Sequence, residues 1–357
     1  MAYRIIRQTM PLIAGLRKRH FAFLFIVNQV SCVSADMSTQ PGDAKVHTNG
    51  LLLYQNLYSF YSQKVVMALH EKNLHFDSHL IDIAKGEQYK PWFLHINPLG
   101  EVPVLQDTGK IIPDSGRIID YLEDNFSNGD TPRLIPMNKG SEVRQKVSSF
   151  KVLLDSLPAN VITMGTLFHP ELVQNPRIPF IGPVRTALAN AEKNSSSNLR
   201  KYAQENPDAK DMLLKKADAQ DEKHKIIVDK NEFLKLLAQV DEVLTKVEEE
   251  LATHTGDKSN WWLCSDSFTV ADISLTILLE RLSQIGLENR FWADGKRPNV
   301  ANYYERVKER DSYKKTIPGT FVFVKLIFSS PILIGVSVAT LIAVIIGGVF
   351  IVKKFIS

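Results

Sequence analysis

The spacing of hydrophobic and polar residues changes along the chain, and these changes divide the chain into regions with different predicted structures. Between residues 50 and 127, short apolar runs are interleaved with stretches that have helical spacing. Val65, Val66 and Leu69 can share one face of the first such helix. The predicted elements are a strand at 51–57, a helix at 63–72, a strand at 76–83, a helix at 87–95, a hairpin at 102–106 and 110–112, and a helix at 115–125. This β-α-β-α-β-β-α order predicts an α/β domain.

The second folded region, residues 140–316, is predicted to be all helical. Its sharpest local signature is S-F-T-V-A-D-I, Ser267 to Ile273, in which Thr269 is placed to cap a helix. Asp272 lies three residues further on, where its carboxylate can reach back to the cap and complete a capping box. Phe268 and Ile273 occupy the positions of a hydrophobic staple. We interpret the motif as a folding element that starts a core helix, not as a binding site.

The C-terminal end is apolar over a length that fits a membrane. No charged residue occurs from Leu326 to Val352, and the 22 residues 331–352 would rise roughly 33 Å as a helix. A hydrocarbon core is about 30 Å thick, so the sequence predicts a transmembrane helix, preceded by an apolar juxtamembrane segment at 319–330. The alternative is a buried core helix. Because only five residues follow the span, we expect a tail anchor that leaves the folded domains in the cytosol.

The N-terminal extension, residues 1–49, is basic. Its first 35 residues carry five arginines and lysines and no acid before a short apolar run and a group of small residues. This pattern is compatible with a secretory signal, with a basic leader toward mitochondria, or with an extension of a protein whose core form begins at Met37. A cleaved secretory signal would place the domains in a lumen, which conflicts with a tail anchor.

Composition excludes several classes of protein. The chain has 357 residues, of which 44% are hydrophobic and 23% charged, so it can bury a sizeable core. Its net charge is only +4, which gives no indication of a groove for nucleic acid. Cys32 and Cys264 are too far apart in the sequence to suggest a disulfide framework. His70, His75 and His79 are spread over a helix end and a strand, so we interpret them as surface residues and predict no metal site.

Residues 192–225 form a charged insert in the helical region. They include eight lysines or arginines and seven aspartates or glutamates, with few large apolar side chains. A segment of this composition buries little of itself. We therefore expect a projecting helix pair or a mobile loop, which is either a solvated face or an arm that binds partners.

The motif N-P-L-G-E-V-P-V-L, Asn97 to Leu105, places a proline at the head of the third strand. With the element order, it resembles the thioredoxin-like domain of glutathione transferases, in which the bond before this proline is cis. The resemblance implies a cis Val102–Pro103 bond and a Val102 backbone that pairs with glutathione as a short antiparallel strand would. It also implies that Asp114 and Ser115 contact the γ-glutamyl end. The alternative is a turn that only stabilises the fold, with Ser115 as a plain N-cap.

The segment Y-S-F-Y-S-Q-K, Tyr58 to Lys64, resembles the S-x-x-S pattern of serine-type glutathione transferases. Ser59 then stands where a hydroxyl donates a hydrogen bond to the glutathione thiolate, as the catalytic residue. The alternative is an ordinary turn serine. No cysteine occurs in this segment, which excludes disulfide chemistry of the glutaredoxin type.

The chain from about residue 51 onward resembles the ganglioside-induced differentiation-associated proteins. The motifs that carry this resemblance are S-F-Y-S-Q-K-V-V, N-P-L-G-E-V-P-V-L, I-I-D-Y-L-E and the apolar tail. It implies a protein of the mitochondrial outer membrane that faces the cytosol and acts in mitochondrial fission and redox homeostasis, with weak or absent glutathione conjugation. The alternative is an active, membrane-tethered transferase that conjugates glutathione to electrophiles.

The apolar span, the charged insert and the resemblance together give a set of expected partners. They are the lipid bilayer through residues 331–352, glutathione as substrate or ligand, cytoskeletal or mitochondrial proteins through residues 192–225, and a second copy of the chain in a homodimer. No cofactor is expected beyond glutathione itself.

Overall fold

The first domain is built on a four-stranded sheet in the computed structural model, which describes residues 50–129 and 131–323. Its strands are β1 (Leu51–Gln55), β2 (Phe76–Leu80), β3 (Val104–Asp107) and β4 (Lys110–Pro113). They lie in the order β2-β1-β3-β4, with β1 and β2 parallel and the other neighbours antiparallel. The predicted strands are all present, and the sheet has the thioredoxin-like arrangement.

Three helices belong to this sheet: α1 (Phe60–Glu71), α2 (Pro91–Ile96) and α3 (Ser115–Asn125). Helix α1 begins earlier than predicted because the Ser59 hydroxyl oxygen accepts a hydrogen bond from the Ser62 N–H and caps the helix there. The predicted helix at 87–95 is divided into a 3₁₀ turn (Glu87–Tyr89) and α2. Pro91 causes the division, since proline lacks a backbone donor and disfavours a helical conformation at the residue before it.

The second domain is all helical, as predicted. Its helices are α4 (Gly140–Asp155), α5 (Ala159–Phe168), α6 (Gly182–Lys193), α7 (Ser195–Glu205), α8 (Lys210–Val228), α9 (Lys230–Ala252), α10 (Val270–Gln284), α11 (Glu288–Phe291), α12 (Pro298–Lys308) and α13 (Asp311–Thr316).

Helix α10 is the centre of this domain, and every one of its residues is buried. The predicted capping box at its start is confirmed. The Thr269 side chain accepts a hydrogen bond from the Asp272 N–H, and the Asp272 side chain accepts one from the Thr269 N–H. Asp272 also accepts hydrogen bonds from the Leu263 N–H at 2.7 Å and the Tyr303 hydroxyl at 2.8 Å. Since one buried carboxylate satisfies several donors, it fixes where α10 begins relative to α12.

Ion pairs join the two domains through α1. The Lys64 ammonium lies 2.5 Å from an Asp155 oxygen at the end of α4, and the Lys64 side chain is almost fully buried. At the other end of α1, the Arg310 guanidinium binds Glu71 through two hydrogen bonds of 2.9 and 2.7 Å. Paired hydrogen bonds of this kind restrict orientation as well as distance. Both ends of α1 are therefore held against the helical domain.

The charged insert is a helix pair, α7 and α8, and it packs against the first domain instead of projecting from it. The Arg200 guanidinium links the two helices by binding Asp218 at 2.9 Å and Asp221 at 2.7 Å. The Tyr202 ring lies 5.3 Å from the Tyr89 ring of the first domain. A small apolar cluster is buried at this contact: Leu94, Leu199, Ala203, Leu213 and Ala217.

The predicted terminal segments fall largely outside the described residues. Among residues 50–129 and 131–323, the structure contains no helix with the length and apolar character needed to cross a bilayer. The extension 1–49, most of the segment 319–330 and the span 331–352 are not part of that range. The membrane anchor therefore stays a prediction from the sequence.

Candidate functional site

Three loops meet at one edge of the sheet. The chain leaves β1 at Gln55 and turns into α1, enters β3 at Val104, and leaves β4 at Pro113. Because β3 runs antiparallel to both β1 and β4, its beginning lies beside their ends. This edge brings together the residues singled out from the sequence, namely Ser59, Val102, Pro103, Asp114 and Ser115.

Ser59 lies half-buried at the start of α1, where the first backbone N–H groups of the helix have no intrahelical partners. Its hydroxyl oxygen accepts a hydrogen bond from the Ser62 N–H at 3.3 Å, and its own N–H donates to the Asn56 carbonyl at 3.0 Å. A hydroxyl has one donor besides its acceptor lone pairs, and the cap uses only an acceptor. Ser59 is thus a helix cap that keeps a donor for a ligand.

The turn before β3 fixes the backbone at Val102. The Val102–Pro103 peptide bond is cis, as predicted. Asn97 organises the turn, since its amide group donates to the Glu101 carbonyl at 2.9 Å and its amide oxygen accepts from the Leu99 N–H at 3.2 Å. Pro103 is buried while Val102 is half-buried. The N-P-L-G segment is therefore a tight support for the residue that was predicted to pair with a ligand.

The turn between β4 and α3 contains a strained residue. Asp114 has φ +73° and ψ 131°, a conformation that costs a non-glycine residue about 1–3 kcal/mol. Its carboxylate accepts hydrogen bonds of 3.0 Å from the Gly116 and Arg117 N–H groups. Asp114 is therefore the N-cap of α3, and the alternative that gave this role to Ser115 is wrong. Ser115 is the buried first residue of the helix.

Charged groups converge on Tyr61, which stands at the edge of the site on α1. Burial raises the pKa of its phenol, and three carboxylates raise it further, namely those of Glu101, Asp155 and Asp114. The Arg281 guanidinium acts in the opposite direction and lowers the pKa. Two of these carboxylates are paired with ammonium groups, Glu101 with Lys216 and Asp155 with Lys64, each at 2.5 Å, so charges of both signs lie near the site.

Two residues at this edge, Lys216 and Arg281, could not be identified as site residues from the sequence. The Lys216 ammonium, from the insert, donates to a Glu101 carboxylate oxygen at 2.5 Å and to the Leu99 carbonyl at 2.8 Å. The Arg281 guanidinium, from α10, donates to the Tyr58 carbonyl at 2.6 Å. These partners are 115 and 223 residues apart in the chain. No local spacing relates positions so distant, so only the fold identifies them.

Comparison with known proteins assigns both domains. Residues 53–130 match the family model "Glutathione S-transferase, N-terminal domain", and residues 208–306 match "Glutathione S-transferase, C-terminal domain". The human protein named ganglioside-induced differentiation-associated protein 1-like 1 is 34% identical over 273 residues, which are 75% of this chain and 73% of that protein. This chain belongs to the ganglioside-induced differentiation-associated family. Both of its folded domains are accordingly of the glutathione transferase type.

More distant proteins share the fold of this ganglioside-induced differentiation-associated family member. Glutathione S-transferase TCHQD of Arabidopsis thaliana is 27% identical over 271 residues, 74% of this chain and 88% of that protein. The solved structure of beta-etherase LigF from Sphingobium aligns over 75% of this chain and 98% of its own with a TM-score of 0.57 at 22% identity. Poplar glutathione transferase F7 aligns over 74% and 97% with a TM-score of 0.50 at 20% identity. At these identities, the two structures support the fold alone.

Proposed function

We propose that this protein binds glutathione at the sheet edge, is anchored in the mitochondrial outer membrane with its folded domains in the cytosol, and acts in mitochondrial network dynamics and redox homeostasis with weak or absent conjugation. The observation that carries the proposal is the convergence of the Ser59 hydroxyl, the Val102 backbone and the strained Asp114 turn at one edge. The family relationship over most of the folded chain supports the cellular role.

The proposed ligand position follows from the groups that the edge presents. The Val102 backbone would pair with the cysteinyl backbone of glutathione as a neighbouring strand does. The start of α3, with the Ser115 N–H, would hold the γ-glutamyl carboxylate, because helix N-termini favour anions. The Ser59 hydroxyl would then donate to the sulfur. These three contacts use the peptide backbone, one carboxylate and the thiol, which together describe glutathione.

Weak or absent conjugation is part of the proposal because the charged insert at 192–225 and the predicted span at 331–352 are features that conjugation chemistry does not require. The carboxylates nearest the edge are themselves paired, Glu101 with Lys216 and Asp155 with Lys64, each at 2.5 Å.

Calorimetric titration of the full-length chain tests the binding step. We expect glutathione to bind and cysteinylglycine, which lacks the γ-glutamyl group, to bind much more weakly. Asp114→Asn keeps an N-cap of comparable strength. A change in glutathione affinity in this variant therefore reports the contribution of the Asp114 negative charge to binding. Absence of glutathione binding to a folded chain would refute the glutathione part of the proposal and leave a membrane-bound adaptor.

An active transferase is the second candidate, and the half-exposed Ser59 hydroxyl at the start of α1 is the observation that favours it. Such an enzyme would show glutathione-dependent consumption of an aryl halide or another general electrophile. Turnover well above the uncatalysed rate would support this candidate over the adaptor. The homodimer and the partners of residues 192–225 remain predictions, for which sedimentation analysis and cross-linking in cells are the direct measurements.

A further inference from the structure

Arg281 is a buried cation directly behind the candidate site. It lies on α10, and only 6% of its surface is exposed. One guanidinium nitrogen donates to the Tyr58 carbonyl at 2.6 Å, and another lies 3.4 Å from the Thr163 hydroxyl. The guanidinium is also 5.0 Å from the Phe180 ring centre and 5.9 Å from that of Phe60. Its surroundings are thus mostly aromatic and backbone groups.

The charge of Arg281 is not neutralised by an ion pair. Among the residues that the structure describes, no carboxylate pairs with its guanidinium, and its Nε atom has no hydrogen-bond partner. The adjacent carboxylate, Glu280 on the same helix, is bound by the hydroxyl groups of Tyr304 and Tyr313. Burial lowers the pKa of the Arg281 guanidinium to about 10, so the group is still protonated at neutral pH. A buried cation without a counter-charge is costly, which raises the question of what it does here.

The position of Arg281 indicates what its charge does. The Tyr58 carbonyl that it binds belongs to the residue directly before Ser59, so the guanidinium supports the turn that presents the Ser59 hydroxyl. The same end of α1 carries the partial positive charge of the helix dipole. The Arg281 charge is felt at the site, because it lowers the pKa of the Tyr61 phenol against three carboxylates. An anion at Ser59 would therefore experience attraction from both the guanidinium and the helix.

We propose that Arg281 is a positioning residue that stabilises a thiolate held at Ser59, both by its charge and by fixing the Tyr58 carbonyl. The proposal rests on the proposed glutathione site. The carboxylates near this site are those of Glu101, Asp114 and Asp155, and two of them are paired, Glu101 with Lys216 and Asp155 with Lys64, each at 2.5 Å. The charge of Arg281, unlike the charges of these two lysines, is not used in an ion pair among the described residues. On the Arg281 side, Tyr61 and Glu280 are the titratable groups that act on the guanidinium.

A thiol introduced at the site tests Arg281 without requiring glutathione to bind. In the full-length chain with Cys32→Ser, the Ser59→Cys substitution places a sulfur at the start of α1, while burial keeps the remaining Cys264 protonated and unreactive by raising its pKa. The pH dependence of alkylation by iodoacetamide gives the pKa of the new thiol. We expect a value below the ordinary value of about 8.5. Adding Arg281→Gln should raise it by about one unit.

Two controls separate charge from structure. Arg281→Lys retains the charge and should keep the thiol pKa low. Arg306→Gln removes a different arginine, which is half-buried and donates to the Trp261 carbonyl, and should leave the thiol pKa unchanged. If Arg281→Gln does not fold, Arg281→Met takes its place, since apolar replacements of buried charges are often tolerated, with the same expected rise. An unchanged thiol pKa in a folded Arg281→Gln or Arg281→Met chain overturns the proposal.

Bound glutathione provides the second readout. Its thiolate absorbance, titrated against pH, should move to higher pH by about one unit in Arg281→Gln. A wild-type chain that binds no glutathione contradicts the proposed function, whereas the Ser59→Cys measurement still decides the role of Arg281.

Discussion

At the scale of single residues, Ser59 has a structural role and a proposed chemical one, which two substitutions separate. Ser59→Ala removes the cap of α1 and should lower the free energy of unfolding by about 1 kcal/mol, while Ser59→Gly should cost only a few tenths. Thermal unfolding followed by circular dichroism measures the difference. Both variants lack the hydroxyl, so both should leave the weak conjugation rate near background. A strong wild-type rate that is lost equally in both variants would instead identify an active transferase.

The ion pair between Lys64 and Asp155 makes stability depend on pH. Burial alone would raise the pKa of Asp155, but the Lys64 charge and hydrogen bonds from Lys64 and Ser274 outweigh it and hold the pKa below its usual value. A lowered pKa in the folded state stabilises the protein above the unfolded-state pKa of about 3.9. That stabilisation is lost as the pH falls from there through the folded-state pKa.

Asp155→Asn should therefore lower the free energy of unfolding at neutral pH by about 3 kcal/mol, because it leaves the buried Lys64 without a counter-charge. It should also flatten the decline of stability on acidification, which urea unfolding at a series of pH values measures. Glu305→Gln is the control, since it removes an exposed partner of Lys308 in a pair of the kind that contributes little. Equal effects of the two substitutions would contradict the prediction.

At the scale of elements, the helix pair α7 and α8 is part of the folded body. Its Tyr202 ring packs so closely on the first domain that a Cβ atom added at Gly86 would lie 2.1 Å from the Tyr202 hydroxyl oxygen. Gly86 has φ +72° and Gly109 has φ +90°, but a Cβ at Gly109 meets nothing within 4 Å. The two glycines therefore differ in their surroundings more than in their backbone.

Gly86→Ala should consequently destabilise the chain by about 1–2 kcal/mol more than Gly109→Ala, because it adds overpacking to a similar backbone strain. Unfolding in urea measures both. Tyr202→Leu removes the clashing hydroxyl and should restore much of the difference when combined with Gly86→Ala. If the two glycine variants are equally stable, the insert does not dock on the first domain as described.

At the scale of the whole molecule, location in the cell is predicted to depend on segments outside the described residues. Deletion of residues 324–357 removes the predicted span but keeps Phe323, whose ring lies edge-on to Tyr58 with centroids 6.2 Å apart. The truncated protein should move from mitochondria to the cytosol, which fractionation and fluorescence microscopy detect. Deletion of residues 1–49 is the matched control and should leave the location unchanged. A truncated chain that stays on mitochondria would contradict the tail anchor and assign targeting to the N-terminal extension.

The sequence by itself determined the features that depend on neighbouring residues. The order of strands and helices and the capping box at Thr269 follow from local periodicity and from motifs a few residues long, while the cis bond at Pro103 was expected from the resemblance to glutathione transferases. Boundaries were less accurate, as at Ser59 and Pro91, because a single cap or proline shifts a helix end. The alternative in which Ser115 caps α3 was wrong, since Asp114 and Ser115 are both common capping residues and only the backbone angles distinguish them.

Tertiary structure alone decided how the site is supported and charged. The pairing of Lys216 with Glu101 and of Arg281 with the Tyr58 carbonyl joins residues whose positions in the chain are unrelated. The same holds for the docking of the charged insert, whose few apolar residues lie on one face and become a core only when Leu94 of the first domain covers them. Electrostatic and apolar contacts depend on distance in space, and a sequence pattern reports distance only along the chain.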